Sequence, residues 1–174
     1  MSTLANAIEA NIRDVPDFPK AGILFKDITP LFLNPTLLKQ IIDELADVYR
    51  SQNIEAIVGM ESRGFLFGVP LALELGVPFV LARKKGKLPA DTVEYTYDLE
   101  YGQATLELHS DSLSKGQRVL IIDDLLATGG TAKATQTLVE MLNATVVAFA
   151  FIIELDFLNG RQDLKAPVHS LVHY

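Results

Sequence analysis

Apolar residues recur at helical spacing through residues 37–49 (LLKQIIDELADVY), and Asn34-Pro35 just ahead supplies a start signal, so a helix is expected there. A short apolar run at 55–59 predicts a strand that stops at Gly59. Residues 65–75 read as a helix closed by Gly76, with Pro70 requiring that the axis bend or the helix begin there. Residues 77–83 form the next expected strand. Residues 118–123 (RVLIID) hold four apolar residues in a row, which suits a strand buried on both faces of a parallel sheet. A helix over 131–142 and a strand over 145–153 follow, and residues 1–11 read as a short helix. Strands alternating with helices predict an α/β fold with a central, mostly parallel sheet flanked by helices.

One stretch departs from this alternation. Residues 84–109 are polar and glycine-containing, and within them TVEYTY (92–97) alternates in the manner of a hairpin strand. Its partner is expected at 104–109, across Glu100, Tyr101, Gly102 and Gln103. A long polar excursion inside a compact domain is either a solvated edge hairpin or a mobile lid over a binding site. With few core-forming residues, it is expected to open at little cost.

Composition narrows the chemistry. The chain of 174 residues carries 15 Lys plus Arg against 22 Asp plus Glu, a net charge of −7. Nucleic-acid and anionic-membrane binders are usually basic, so neither partner is expected. No cysteine is present, which excludes disulfides, thiolate metal sites and cysteine nucleophiles. His109, His169 and His173 are too dispersed for a histidine metal site. The longest apolar run, 145–153, is far short of a membrane span, and the N-terminus lacks an apolar leader core, so a soluble cytoplasmic protein of one domain, 1–174, is the expectation. Against the acidic background, Arg83, Lys84, Lys85 and Lys87 place four basic residues within five positions. They form either an exposed basic loop or a clamp for a polyanion.

The most informative stretch is VLIIDDLLATGGT, residues 119–131. Its apolar strand is expected to end at Asp123-Asp124, and a turn of small residues then opens a helix. Ligands of parallel sheets bind at the carboxyl ends of strands. A helix N-terminus offers several N–H groups and roughly half a positive charge to an anion, most naturally a phosphate. Ala127, Gly129 and Gly130 leave room for a phosphate to approach the backbone, and Thr128 and Thr131 add hydroxyls. The acid pair suits the vicinal hydroxyls of a sugar. Neither G-x-x-x-x-G-K nor G-x-G-x-x-G occurs.

Residues 119–131 resemble the phosphoribosyl-pyrophosphate motif of the type I phosphoribosyltransferases. The segments FPKAGILFKDI (18–28), ESRGFLFG (61–68), RKKGKLP (83–89) and LEYG (99–102) are similar to the adenine-using branch of that family, in the same order across nearly the whole chain. The resemblance implies the type I fold, an N-terminal base-binding hood over 1–34, a lid hairpin over 84–109, and a homodimer. It implies transfer of phosphoribosyl from 5-phosphoribosyl 1-pyrophosphate to adenine, with Mg2+ held mainly by substrate oxygens and water and no dedicated protein metal site. It further implies that Asp123 and Asp124 hold the ribose hydroxyls and that Ala127, Thr128, Gly129, Gly130 and Thr131 hold the 5′-phosphate. Arg63, Arg83 and Lys87 would neutralise pyrophosphate. The turn at Glu61-Ser62 would carry a cis peptide. Phe25 would stack on adenine, a contact of roughly 1–3 kcal/mol per base, and Leu24 would read the base edge through its backbone. Lys26 stands where the family commonly has Arg. Glu100 would manage the purine proton at the lid tip, beside Tyr101. A non-catalytic phosphoribosyl-pyrophosphate sensor and a 6-oxopurine enzyme are the rival readings.

Overall fold

A computed structural model describes residues 3–98 and 102–174 of the chain. Helix α1 (Thr3–Glu9) leads into an antiparallel hairpin of β1 (Arg13–Pro16) and β2 (Leu24–Asp27), which the hydrophobic pattern had not indicated. A 3-10 turn (Thr29–Leu33) precedes α2 (Pro35–Tyr49). The Asn34 side chain accepts the Leu37 N–H at 3.1 Å, and Pro35 opens the helix where no donor is needed. Then come β3 (Ala56–Met60), α3 (Gly64–Leu75), β4 (Phe79–Lys84), β5 (Thr92–Asp98), β6 (Gln103–His109), β7 (Arg118–Leu126), α4 (Gly130–Met141), β8 (Thr145–Glu154), a 3-10 turn (Asp156–Leu158) and β9 (Val168–His173). Helix α3 begins six residues before Pro70, so the alternative of a start at Pro70 is removed, and Gly76 ends it at φ 67°.

The main sheet has the order β5-β6-β4-β3-β7-β8-β9. The five strands from β4 to β9 in that order are parallel, as expected. Strand β9 was not legible in the sequence. The hairpin is less detached than its composition suggested. Strand β6 pairs antiparallel with β4 through Arg83↔Glu107 and Lys84↔Leu106, and buries Leu106 and Leu108. The apolar run of β7 divides between two cores. Leu120 and Ile122 pack with α1, α2 and α3, while Val119 and Ile121 pack with α4. Glycines set the spacing between α3 and the sheet. A Cβ on Gly59 or on Gly68 would lie 2.4 Å from the Phe79 ring, so the ring fills the space both residues leave.

Candidate active site

Two neighbouring strands end at different heights. The β3–β7 ladder stops at Gly59↔Ile122, whereas the β7–β8 ladder continues to Leu126↔Glu154. The sequence placed the end of this strand at Asp123. It runs on to Leu126 because β8 supplies partners for Leu125 and Leu126 after β3 has turned away. The acid pair is therefore inside a strand, on the edge that β3 leaves open. This is also where strand order reverses: β3 is followed on one side by β4, and β7 on the other by β8. Such a switch point is the usual ligand crevice of an open α/β sheet.

The pair is not an exposed strand end. Asp124 is 3% exposed and Asp123 half-buried. Asp123 Oδ1 accepts the Asp124 N–H at 2.8 Å, and Arg63 Nε lies 2.8 Å from Asp124 Oδ2. Burial pushes the Asp123 carboxyl well above the ordinary range, with the neighbouring Asp124 charge adding to it. Burial also raises Asp124, while Arg63 works against the rise. Arg63 stands at the start of α3, and the next residue explains how α3 comes so close. A Cβ on Gly64 would lie 2.6 Å from the Ile122 carbonyl oxygen. The other side of the guanidinium faces Phe25, 5.4 Å from its ring centroid, and Phe25 meets Phe18 edge-on at 5.1 Å. One arginine thus joins the N-terminal hairpin to the acid pair. The Glu61-Ser62 peptide ahead of it is cis, as the resemblance implied.

Beyond Leu126, residues Ala127, Thr128, Gly129, Gly130 and Thr131 line a pocket with Asp123, Leu125 and Met60. The turn delivers the N-terminus of α4 to it, so it has the geometry of an anion site. The two glycines serve different purposes. Gly129 has φ 81°, and a Cβ there would lie 2.1 Å from the Gly160 carbonyl oxygen. Its bareness accommodates another backbone, which corrects the expectation that it clears space for a ligand. At Gly130 the nearest atom to a Cβ is 3.7 Å away, on Tyr97, so that position is open. The Tyr97 hydroxyl lies 3.1 Å from Thr131 Oγ1, joining β5 to this turn.

A second cleft of about 340 Å3 adjoins the first and is lined by Glu61, Ser62, Arg63, Lys84, Asp123 and Asp124. Of the basic segment, Lys84 reaches this lining. Arg83 is outside the lining and braces one of its members, with Nε 3.2 Å from Glu61 Oε2 and a terminal nitrogen donating to the Lys87 carbonyl at 3.1 Å. Burial pushes the Glu61 carboxyl up, but the Lys84 N–H and Arg83 outweigh it and hold the group below its usual range. Lys87 and Leu88 donate their backbone N–H groups to buried Glu107 at 2.9 and 2.8 Å. The structure therefore brings Arg63 and Lys84 to the cleft and gives Arg83 and Lys87 bracing contacts. Leu24 is exposed beside Phe25. Lys26 turns to Asp14, 2.7 Å away, and sits 3.8 Å from the Tyr174 ring centroid. Glu100 and Tyr101 lie outside the described residues. Sequence reasoning had marked the Glu61-Ser62 turn but missed Gly160 and Glu107 as parts of the site, because each acts on a segment distant along the chain and carries no local pattern.

Residues 29–171 match the model of the phosphoribosyl transferase domain family. A curated relative from Nitrosococcus oceani, an adenine phosphoribosyltransferase, is 56% identical over 168 residues, covering 96% of this chain and 98% of its own. The crystal structure of adenine phosphoribosyltransferase from Thermoanaerobacter pseudethanolicus superposes with a TM-score of 0.95 at 49% identity, covering 99% of this chain and all of that one (100%). The Saccharomyces cerevisiae enzyme, solved with adenine and an imino-altritol bisphosphate, gives a TM-score of 0.93 at 44% identity over 98% of this chain and 99% of its own. With the acid pair, the small-residue turn and the Arg63 bridge set at one switch point of such a sheet, the chain belongs to the phosphoribosyltransferase family and groups with its adenine phosphoribosyltransferases.

Proposed function

We propose that this chain transfers the phosphoribosyl group of 5-phosphoribosyl 1-pyrophosphate to adenine, releasing pyrophosphate and forming AMP. The observation that carries this reading is Arg63 set between the aromatic face of Phe25 and the buried carboxylate of Asp124, next to the small-residue turn. Base, sugar and phosphate then occupy consecutive stations. Phe25 stacks on adenine, Leu24 offers its backbone to the base edge, Asp123 and Asp124 accept the ribose hydroxyls, and residues 127–131 donate to the 5′-phosphate. As the bond from the anomeric carbon to pyrophosphate breaks and the bond to the purine nitrogen forms, positive charge develops on the sugar. The two carboxylates stabilise it, and Arg63 and Lys84 meet the charge on the departing pyrophosphate. Glu100 handles the purine proton.

The second cleft has three carboxylates and two cations in its lining, so a pyrophosphate entering it needs further positive charge. Hard oxygen donors and polyanion oxygens fit Mg2+. When bound, Mg2+ supplies charge neutralisation of the leaving group. Arg63 already occupies Asp124, and Asp123 accepts a backbone N–H, which leaves few protein oxygens for the metal. Most of its ligands would then be substrate oxygens and water. An assay of adenine, hypoxanthine and guanine with phosphoribosyl pyrophosphate and Mg2+ is expected to give pyrophosphate release with adenine alone. Release with hypoxanthine or guanine instead would assign a 6-oxopurine enzyme, and binding without release would assign a sensor.

Asp123 also links function to stability. A carboxyl whose folded pKa is raised contributes stability that is complete below its unfolded value and lost as pH rises through the folded one. Above the ordinary carboxylate range, burial of the Asp123 carboxyl is therefore a cost to the fold. Asp123→Asn keeps the acceptor for the Asp124 N–H. It is expected to melt at or above the wild-type temperature at pH 7, with the difference vanishing below the ordinary pKa of 3.8. Turnover should drop at least about tenfold, roughly 1.4 kcal/mol on the barrier. A lower melting temperature at pH 7 would refute the cost, and unchanged turnover would remove Asp123 from the chemistry.

The lid reading carries over to the outer part of residues 84–109, because β6 is anchored to β4 and to the core. Opening admits substrates, and closure keeps water from the charged sugar. Hydrogen exchange over residues 92–105 is expected to slow when both substrates are bound. Equal, strong protection with and without them would make the hairpin a rigid edge. Helix α3 supports a homodimer, since Leu66, Val69 and Leu73 lie on one stripe and are 48%, 42% and 79% exposed. Light scattering is expected to give twice the chain mass of 19.1 kDa, and a monomeric mass at micromolar concentration would rule the dimer out.

A further inference from the structure

The segment after β8 makes a closed loop that ends against the phosphate turn. Glu154, the last residue of β8, is 2% exposed and carries three side-chain donors. Arg161 Nε donates to its Oε1 at 2.6 Å, an Arg161 terminal nitrogen lies 2.5 Å from its Oε2, and Ser170 Oγ donates to Oε2 at 2.6 Å. This two-pronged grip closes the chain between residues 154 and 161. Just inside the closure is Gly160, which is buried. A Cβ on Gly160 would lie 2.1 Å from the Ala127 carbonyl oxygen and 3.0 Å from the Gly129 nitrogen. The reciprocal contact, from Gly129 to the Gly160 carbonyl, is equally close. Two bare backbones therefore press on one another with no side chain between them. The root of the loop is fixed as well, because the Leu155 N–H donates to the Leu126 carbonyl at 2.9 Å.

We propose that Arg161 is a positioning residue for substrate binding: by gripping Glu154 it holds Gly160 against Ala127 and Gly129, and so sets the direction of the N–H groups that receive the 5′-phosphate. The inference rests on residues 127–131 being the phosphate turn. A hydrogen-bond donor swings away from an anion when its peptide plane rotates; the Gly129 carbonyl is held by the Lys133 N–H at 2.9 Å, and with no side chain the residue's remaining restraint is what it packs against. Gly160 is that packing. Arg161 itself lines neither the pocket at the turn nor the adjoining cleft. Its effect is confined to the sugar-phosphate and leaves the base station at Phe25 unaltered.

The experiment compares wild type, Gly160→Ala and Arg161→Ala, using ribose 5-phosphate binding by calorimetry together with the KM values of both substrates. Both variants are expected to weaken ribose 5-phosphate and to raise the KM for phosphoribosyl pyrophosphate by roughly tenfold or more, with the KM for adenine changed less than about threefold. Equal ribose 5-phosphate affinity in wild type and both variants would overturn the proposal, as would losses shared evenly between the two substrates. Removing Arg161 leaves a buried carboxylate unpaired, so Arg161→Lys is the second variant if Arg161→Ala does not fold. It keeps the charge and gives up the fork, and an intermediate loss of phosphate affinity is expected. Unchanged affinity there would overturn the proposal equally. In wild type, the backbone amide resonances of residues 127–131 should shift on adding ribose 5-phosphate. If they stay still while the ligand binds, the phosphate lies elsewhere, and it is the turn assignment that fails.

Discussion

The site depends on the unequal reach of β3 and β7. Parallel strands of equal length would have spent both edges of β7 on ladder hydrogen bonds and left the acid pair no access to a ligand. Because β3 stops opposite Ile122 while β8 carries β7 on to Leu126, the next two residues have one paired edge and one open edge. Their backbone stays within the strand through β8, yet their carboxylates face a cleft. Helix α3 can enter this gap because residue 64 is glycine, and it brings Arg63 to Asp124. A binding group on a sheet strand is positioned more sharply than one on a loop. Here the strand positions the acids and two loop ends bring their counterparts.

That arrangement is expensive for the free protein. Two adjacent carboxylates, one buried and one half-buried, repel one another, and Arg63 pairs with one of them. Core logic would place apolar residues at such a point, as it does at Leu120, Ile121 and Ile122 immediately before. Local violations of this kind are characteristic of functional positions. The same logic explains the pairing of the basic residues. Arg83 is matched to Glu61 and Lys85 to Glu94, so the cleft is not a bare cationic hole in the substrate's absence. Among the described residues, Lys84 is the cation in the cleft lining that has no carboxylate within ion-pair distance.

Much of this could be read from residues alone, and the reasons are local. The run of residues 119–122 signalled a doubly buried strand, and the acids followed by small residues signalled a ligand-binding turn. Periodicity marked α2, and Gly76 marked the end of α3. The failures were equally physical. Leu125 and Leu126 looked like part of a turn because their strand character comes from β8, not from their own pattern. Strand β9 has a short, broken apolar sequence, and it is a strand because β8 has a free edge. In β6, residues 106–108 bury a glutamate between two leucines, and the carboxylate is satisfied by N–H groups nearly twenty residues upstream. No composition rule reveals such a partner.

Gly129 shows how a correct expectation can rest on an incorrect cause. A glycine was expected in the turn, and a glycine is required there, but by the carbonyl of Gly160 and by a left-handed backbone. The distinction changes what the rest of the chain must do. A turn shaped by its ligand could be loose when empty. A turn shaped by a second backbone must be supported from behind, and that support needs its own fixed point. Glu154 provides it from the end of β8, the same strand whose pairing extends β7 beyond β3. One strand thus holds the acid pair through its ladder and the phosphate turn through the loop that follows it. Sugar and phosphate stations separated by several residues are thereby referred to a single rigid element, which is the condition for binding both ends of one substrate at a fixed distance.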